Sequence, residues 1–217
     1  MMIPAQYNEK YLEICREWEE MTKLELEHDE YSKLILRDVN SYIGIYINNK
    51  VKCKGTFEWE DLQNHKSSHL HKNKSFLVIP KAIYEYFVNG IKPEDYLKSN
   101  NNLYDYCGAV KAKGGWSFYE RKIEDGEYSS TKLQKINRYY ISNNGVKLVK
   151  IHNDGREIQV EAGKWMQTVC NDIRPFLNVP FESLDINKQY YLDNIYKEIE
   201  TIIPKFSRSG YTQGTLF

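Results

Sequence analysis

The stretch Ser41–Glu58, SYIGIYINNKVKCKGTFE, decides how the first part of the chain folds. Ile43, Ile45 and Ile47 alternate with Gly44 and Tyr46, and Val51, Cys53 and Gly55 alternate with Lys52 and Lys54. A period of two places successive side chains on opposite faces of a strand. Asn48-Asn49 between the two runs suits the left-handed backbone of a tight turn. The segment therefore predicts a β-hairpin, with strands over 41–47 and 51–58 and with Lys52 and Lys54 on one side. Upstream, YSKLILR at 31–37 predicts a further strand. Residues 7–27 predict an amphipathic helix, since Tyr7, Tyr11, Leu12, Ile14, Cys15, Trp18, Met21 and Leu24 recur at three- and four-residue spacings.

Downstream, 61–75 is polar and reads as a loop. A helix is predicted over 79–89, with Pro80 in its first turn and Gly90 as a stop. Pro93-Glu94-Asp95 starts a second, short helix, and Ser99–Asn102 is a polar connection. From 115 to 160 the pattern is strand-like, with turn signals at Asp125-Gly126, Asn143-Asn144-Gly145 and Asn153-Asp154-Gly155. This predicts a small antiparallel meander. A last helix is predicted over 187–202, and FSRSGYTQGTLF reads as a flexible tail. The fold class expected is α+β.

The chain of 217 residues carries 30 basic and 30 acidic side chains, which argues against a wholly basic nucleic-acid binder. The charge is nevertheless segregated. Residues 1–30 hold three basic residues against nine acids, and 111–150 hold nine against four. The chain as a whole holds eighteen tyrosines, and rings beside Lys and Arg suit nucleic acid, although tyrosine is also a good strand residue. Cys15, Cys53, Cys107 and Cys170 form no CxxC pair, so they read as reduced thiols. There is no membrane-length apolar run and no signal-peptide pattern, so a soluble, cytoplasmic protein is expected.

No catalytic constellation is legible. His65, His69 and His71 lack a carboxylate or thiol to complete a metal set and sit among Lys66, Lys72 and Lys74, which reads as a solvated basic loop. There is no GxSxG and no GxxxxGK[ST], and the acid pairs Glu19-Glu20, Glu94-Asp95 and Glu124-Asp125 read as surface. Two features stand out. One is the hairpin with Tyr42, Lys52 and Lys54 together with the basic strands of 111–150. The other is Gln213-Gly214-Thr215-Leu216-Phe217, in which two apolar anchors follow a glutamine.

Arg37–Glu58 resembles the "KKRY … G-x-hydrophobic-K-x-KG" hairpin that follows the catalytic DTDS motif in phage-like family B DNA polymerases. Tyr42 takes the place of the motif tyrosine, and Lys52, Lys54 and Gly55 take the place of its K-x-KG end. Val39-Asn40-Ser41 stand where lysines are usual. Leu70–Leu97 and the blocks INRYYISNNGVKLVK and GREIQVEAGKWMQTV are similar to the thumb of that group, so the resemblance covers roughly residues 10–200. It implies a palm edge over 1–62 (a helix and an antiparallel hairpin), a mixed helical and antiparallel-strand thumb over 63–205, and a tail over 206–217. The tail resembles the clamp-binding peptide Q-x-x-L-F, which implies sliding-clamp contacts from Gln213, Leu216 and Phe217.

The metal-binding motifs DxxSLYP and DTDS and the nucleotide-gripping K-x3-NSxYG of the family are absent from these residues. Two-metal phosphoryl transfer needs those carboxylates, so the chain alone is expected to be inactive, with Mg²⁺ held by a catalytic N-terminal part supplied elsewhere. The Met-Met start, past where the active site would lie, points to a split gene or a truncated frame. The partners implied are primer–template DNA, that catalytic part and a sliding clamp, in a host cytoplasm if the source is viral. Phosphate contacts are assigned to Lys52, Lys54, Lys111, Lys113, Lys135 and Arg138, with Tyr42 near the primer strand. The alternative is a standalone, non-catalytic DNA-binding or clamp-tethering protein.

Overall fold

In the computed structural model, residues 7–59, 76–124, 127–169 and 179–203 are described. They form an α+β protein whose strand pairs are all antiparallel. The chain divides into two compact units, Met1–Glu58 with Ile199–Phe217, and Trp59–Glu198.

In the first unit, helix α1 spans Asn8–Thr22, followed by strands β1 (Tyr31–Asp38), β2 (Ser41–Tyr46) and β3 (Val51–Lys54) in the order β1-β2-β3. The hairpin turn closes as its asparagines demand. Asn49 has φ 63°, its N–H donates to the Tyr46 carbonyl at 2.9 Å, and Asn48 Oδ1 accepts from the Lys50 N–H at 3.1 Å. In register, Ile35 faces Ile43 and Ile43 faces Cys53, and both isoleucines are buried. The strand expected to run to 58 stops at Lys54. Gly55 has φ 63°, and a Cβ there would lie 2.1 Å from the Asn40 carbonyl oxygen, so the chain turns into a 3-10 turn at Gly55–Phe57. The helix expected to reach 27 likewise ends at Thr22. Lys23 takes a left-handed conformation (φ 61°), and the Leu26 N–H is held by Glu19 Oε1 at 2.6 Å. On α1 only Cys15 is buried; Tyr7, Ile14, Trp18 and Met21 are exposed.

In the second unit, α2 (Val78–Tyr84) widens into a π turn at Glu85–Asn89 and ends at Gly90, φ 72°. Then follow α3 (Pro93–Ser99), α4 (Leu103–Tyr106), β4 (Gly108–Lys111), β5 (Trp116–Glu124), β6 (Glu127–Lys132), β7 (Ile136–Ser142), β8 (Lys147–His152), β9 (Glu157–Gln159), β10 (Trp165–Val169) and α5 (Lys188–Ile202), of which Lys188–Glu198 belong to this unit. The expected single meander is corrected here. The strands form two sheets, β10-β7-β4 and β6-β5-β8-β9. β7 leaves the sequence order to sit between β4 and β10, because Asn137–Ser142 are buried without alternation and need cover on both faces. The short elements α4, β4, β6 and β10 are not legible in the periodicity. Asn102 caps α4 by accepting from the Tyr104 N–H at 3.1 Å.

The core of this unit is aromatic. The Tyr191 ring is fully buried and meets Phe76, Tyr106 and Tyr190 edge-on at centroid distances of 5.3, 5.2 and 5.3 Å. Its hydroxyl accepts from the Ile141 N–H at 2.8 Å and donates to the Tyr106 carbonyl at 2.8 Å. Burial holds this phenol well above its ordinary pKa, so it stays a donor. Beside it, the Asp105 carboxylate is buried between Lys81 Nζ (2.7 Å) and Asn100 Nδ2 (2.9 Å), which ties α2 to α4. Among the described residues no helix is long and apolar enough to cross a membrane.

Tyr191→Phe keeps the ring and strands two buried backbone groups. It should cost about 2–6 kcal/mol, since each of the two unmade buried hydrogen bonds costs about 1–3 kcal/mol, read as a lower urea midpoint by circular dichroism.

Candidate nucleic-acid interface

The sequence-derived residues fall into separate groups. On the hairpin, Tyr42 pairs in register with Lys54, and Gly44 with Lys52, so the two lysines and Tyr42 share a face. The ring of Tyr31 lies over Gly44: a Cβ there would stand 2.3 Å from it. Tyr31 meets Tyr46 at 4.8 Å and Tyr42 at 6.3 Å between centroids. Asp29 gathers this face together. Its carboxylate accepts from Tyr31 Oη and Tyr46 Oη, both at 2.9 Å, and from Lys52 Nζ. The Lys52 hydrogen bond, then those of the tyrosines, hold the Asp29 carboxyl below its ordinary pKa, and Asp29 in turn raises that of Lys52. Lys54 is exposed and lies 3.5 Å from Glu58. The face thus offers three tyrosines with cations already matched by acids.

In the second unit three connections lie side by side. β4 ends at Lys111, which pairs with Ile136, the residue after Lys135. The Ala112 N–H donates to the Lys135 carbonyl at 2.8 Å. The chain then turns through Lys113, Gly114 (φ 55°) and Gly115 (φ 83°) into Trp116. A Cβ on Gly115 would come within 2.9 Å of His152 Nε2, so the glycine allows His152, the last residue of β8, to lie against the turn. His152 Nε2 is 3.1 Å from the Gly114 carbonyl oxygen, and the Asn153 N–H donates to the Gly115 carbonyl at 3.0 Å.

Trp116 and His152 are opposite each other in the β5–β8 ladder, with ring centroids 5.0 Å apart. Lys150 Nζ lies 5.0 Å and the Arg156 guanidinium 5.8 Å from the Trp116 ring centre. Asp154 accepts from Arg156 Nε at 2.8 Å and lies 2.8 Å from His152 Nδ1. Lys111, Lys113 and Lys135 thus lie on two adjoining connections, and Lys150 and Arg156 lie at Trp116; of the acids beside them, Asp154 pairs with Arg156 and Glu157 with Arg121. Lys111, Lys113 and Lys135 are exposed. Such a local excess attracts phosphates even on a chain of zero net charge.

Arg138 does not belong with them. Its side chain, expected at a phosphate, is fully buried; the guanidinium stacks 4.6 Å from the Tyr104 ring centre and donates to Tyr104 Oη at 3.3 Å. It sits on the central strand of a sheet covered on both faces, where an arginine is tolerated by stacking on an aromatic ring. The sequence reading missed Trp116, Lys150, His152 and Arg156 as partners of Lys111, Lys113 and Lys135. The signal available was Lys-Ala-Lys-Gly-Gly-Trp at 111–116, but only the pairing of β5 with β8 brings 150–156 beside it.

Gln213, Leu216 and Phe217, and His65, His69 and His71, lie outside the described residues. Among the described residues no group of three His, Cys, Asp or Glu side chains is placed to hold a metal ion. Cys15, Cys53 and Cys107 are free thiols, and burial pushes the pKa of Cys107 up to about 12, which makes it a poor nucleophile. No protein-family model matches the chain, and no curated protein or solved structure matches it.

The depressed Asp29 pKa has a definite sign. The group stabilises the fold above its unfolded value of about 3.9, and that stabilisation is lost as pH falls through the lower folded value. Asn at position 29 cannot titrate. Asp29→Asn should therefore be less stable than the wild-type chain at neutral pH and lose less stability on acidification below about pH 4, measured as urea midpoints across pH.

Proposed function

We propose that this chain holds primer–template DNA as the palm-edge and thumb portion of a DNA-directed DNA polymerase, with the catalytic carboxylates and their Mg²⁺ supplied by another part. The observation that carries the DNA-holding half of this reading is that exposed Lys111, Lys113 and Lys135 share two adjoining connections, next to the Trp116 strand end that carries Lys150 and Arg156, while the nearby acids Asp154 and Glu157 are taken up by Arg156 and Arg121. The polymerase half rests on the resemblance of Arg37–Glu58 and of the later thumb-like blocks.

A duplex-holding surface must work on any template, so its contacts go to phosphates and ignore base identity. Flexible lysines on strand ends meet that need, and the adjoining turns fix where they emerge. In the hairpin, the tyrosine face of Tyr31, Tyr42 and Tyr46 offers flat, half-buried rings of the kind that pack on sugars, with Lys52 and Lys54 at its edge. On this reading, duplex affinity should be independent of sequence and fall steeply with salt. The triple variant Lys111→Ala, Lys113→Ala, Lys135→Ala should lower the magnitude of the slope of log K against log salt by about 2 to 3, since each phosphate contact contributes about 0.9. Fluorescence anisotropy of a labelled primer–template at several salt concentrations measures this. An unchanged slope would remove the cluster from the DNA interface.

A second reading, a clamp-tethering module without a role in synthesis, is favoured by the Gln213–Phe217 pentapeptide. A labelled peptide covering 206–217 should bind a bacterial-type sliding clamp and lose at least about tenfold in affinity with Leu216→Ala and Phe217→Ala, as expected when two buried anchors are truncated. Equal binding of the two peptides would leave this reading without support.

A further inference from the structure

Trp116 is an unusual tryptophan for a strand end. Two residues further along β5, on the same face, Phe118 is buried in the core. Trp116 instead remains partly exposed, and its ring is met by Lys150, His152 and Arg156. The imidazole is itself held in place, with Nε2 against the Gly114 carbonyl and Nδ1 against Asp154. The indole is therefore pre-oriented by a rigid ladder partner and two flexible cations. Arg156 keeps 68% of its side chain in solvent, so it can exchange the ring and Asp154 for a phosphate without being unburied. Lys113, whose carbonyl accepts from the Trp116 N–H at 3.2 Å, adds an exposed cation in the turn that leads into the ring.

We infer that Trp116 is a stacking post for an unpaired nucleobase, with Lys150, Arg156 and Lys113 taking the phosphates that flank it. A duplex hides its base faces inside the stack, so lysines on a surface can grip it but an indole cannot stack on its paired bases. A single strand presents base faces and phosphates together, which this set of groups matches. The inference rests on the reading of these connections as a nucleic-acid interface, and it assigns to them a single strand in addition to the duplex. The contact is independent of base sequence, because every base has a π-face.

The test uses the full chain and a labelled oligothymidylate of about sixteen nucleotides, within the site sizes of single-strand binders, alongside a duplex of equal length. Trp116→Ala should weaken single-strand binding about tenfold, Trp116→Phe should restore most of it, and the loss on the duplex should be several-fold smaller than that on the single strand. Parallel losses on both ligands, no loss on either, or no single-strand binding by the wild-type chain would each overturn the inference. Single-strand binding that depends on Trp116 without any duplex binding would sustain it while removing the duplex-holding reading. Should Trp116→Ala fail to fold by circular dichroism, the wild-type chain decides. An oligothymidylate carrying 5-iododeoxyuridine should photocrosslink to the peptide containing Trp116, and crosslinks confined to other peptides would overturn the assignment.

Discussion

Three pieces of the larger unit meet at the hydroxyl of Tyr191. It lies on α5, accepts from the backbone of β7 at Ile141 and donates to the backbone of α4 at Tyr106. Backbone groups that leave water must be paired, and here one side chain satisfies a donor on a strand and an acceptor on a helix at once. The rings of Phe76, Tyr106 and Tyr190 close around it edge-on, so the polar pair is sealed in apolar surroundings. This one contact fixes how far α5 stands from β7. With β7 placed, β4 and β10 take their positions on either side, and the end of β4 determines where Lys111 and the glycine turn emerge.

A comparable constraint organises the smaller unit. Asp29 precedes β1 and accepts from two tyrosines and a lysine carried on β1, β2 and β3. A half-exposed carboxylate gains little from one surface ion pair. Shared among three donors, it instead sets the angles of the rings and holds Lys52 to one side of the sheet. Gly44 completes the arrangement by leaving room for the Tyr31 ring above the backbone. The flat aromatic face follows from these contacts together, and neither the hairpin nor the carboxylate would produce it alone.

The electrostatics show why a net charge of zero says little about binding. Nine acids against three basic residues lie in 1–30, while nine basic residues against four acids lie in 111–150, where Lys150 meets the Trp116 ring. Fields near a surface decay over about 10 Å at moderate salt, so a phosphate approaching Trp116 responds to the charges of that neighbourhood and not to the sum over the chain. Burial works in the opposite sense at Arg138. Its charge is spent on the Tyr104 ring inside the protein and does not reach a ligand.

Periodicity and turn chemistry were enough to place α1, the β1–β3 hairpin unit, α2, α3, α5 and the strands over 116–124, 136–142 and 147–152, because these signals are local. They also located most of the cations, since charge is read directly from composition. What tertiary structure alone decided is which strands pair. Alternation says that a strand has two faces but not who its neighbour is, and so the expected meander became two sheets once β7, buried without alternation, took the centre of its own. The same limit explains the site. Lys111, Lys113 and Lys135 were visible as charges and Arg138 was indistinguishable from them, because a sequence shows a cation's identity but not its burial. Trp116 acquired Lys150, His152 and Arg156 only through the register of β5 against β8, a contact between residues more than thirty positions apart that no local rule encodes.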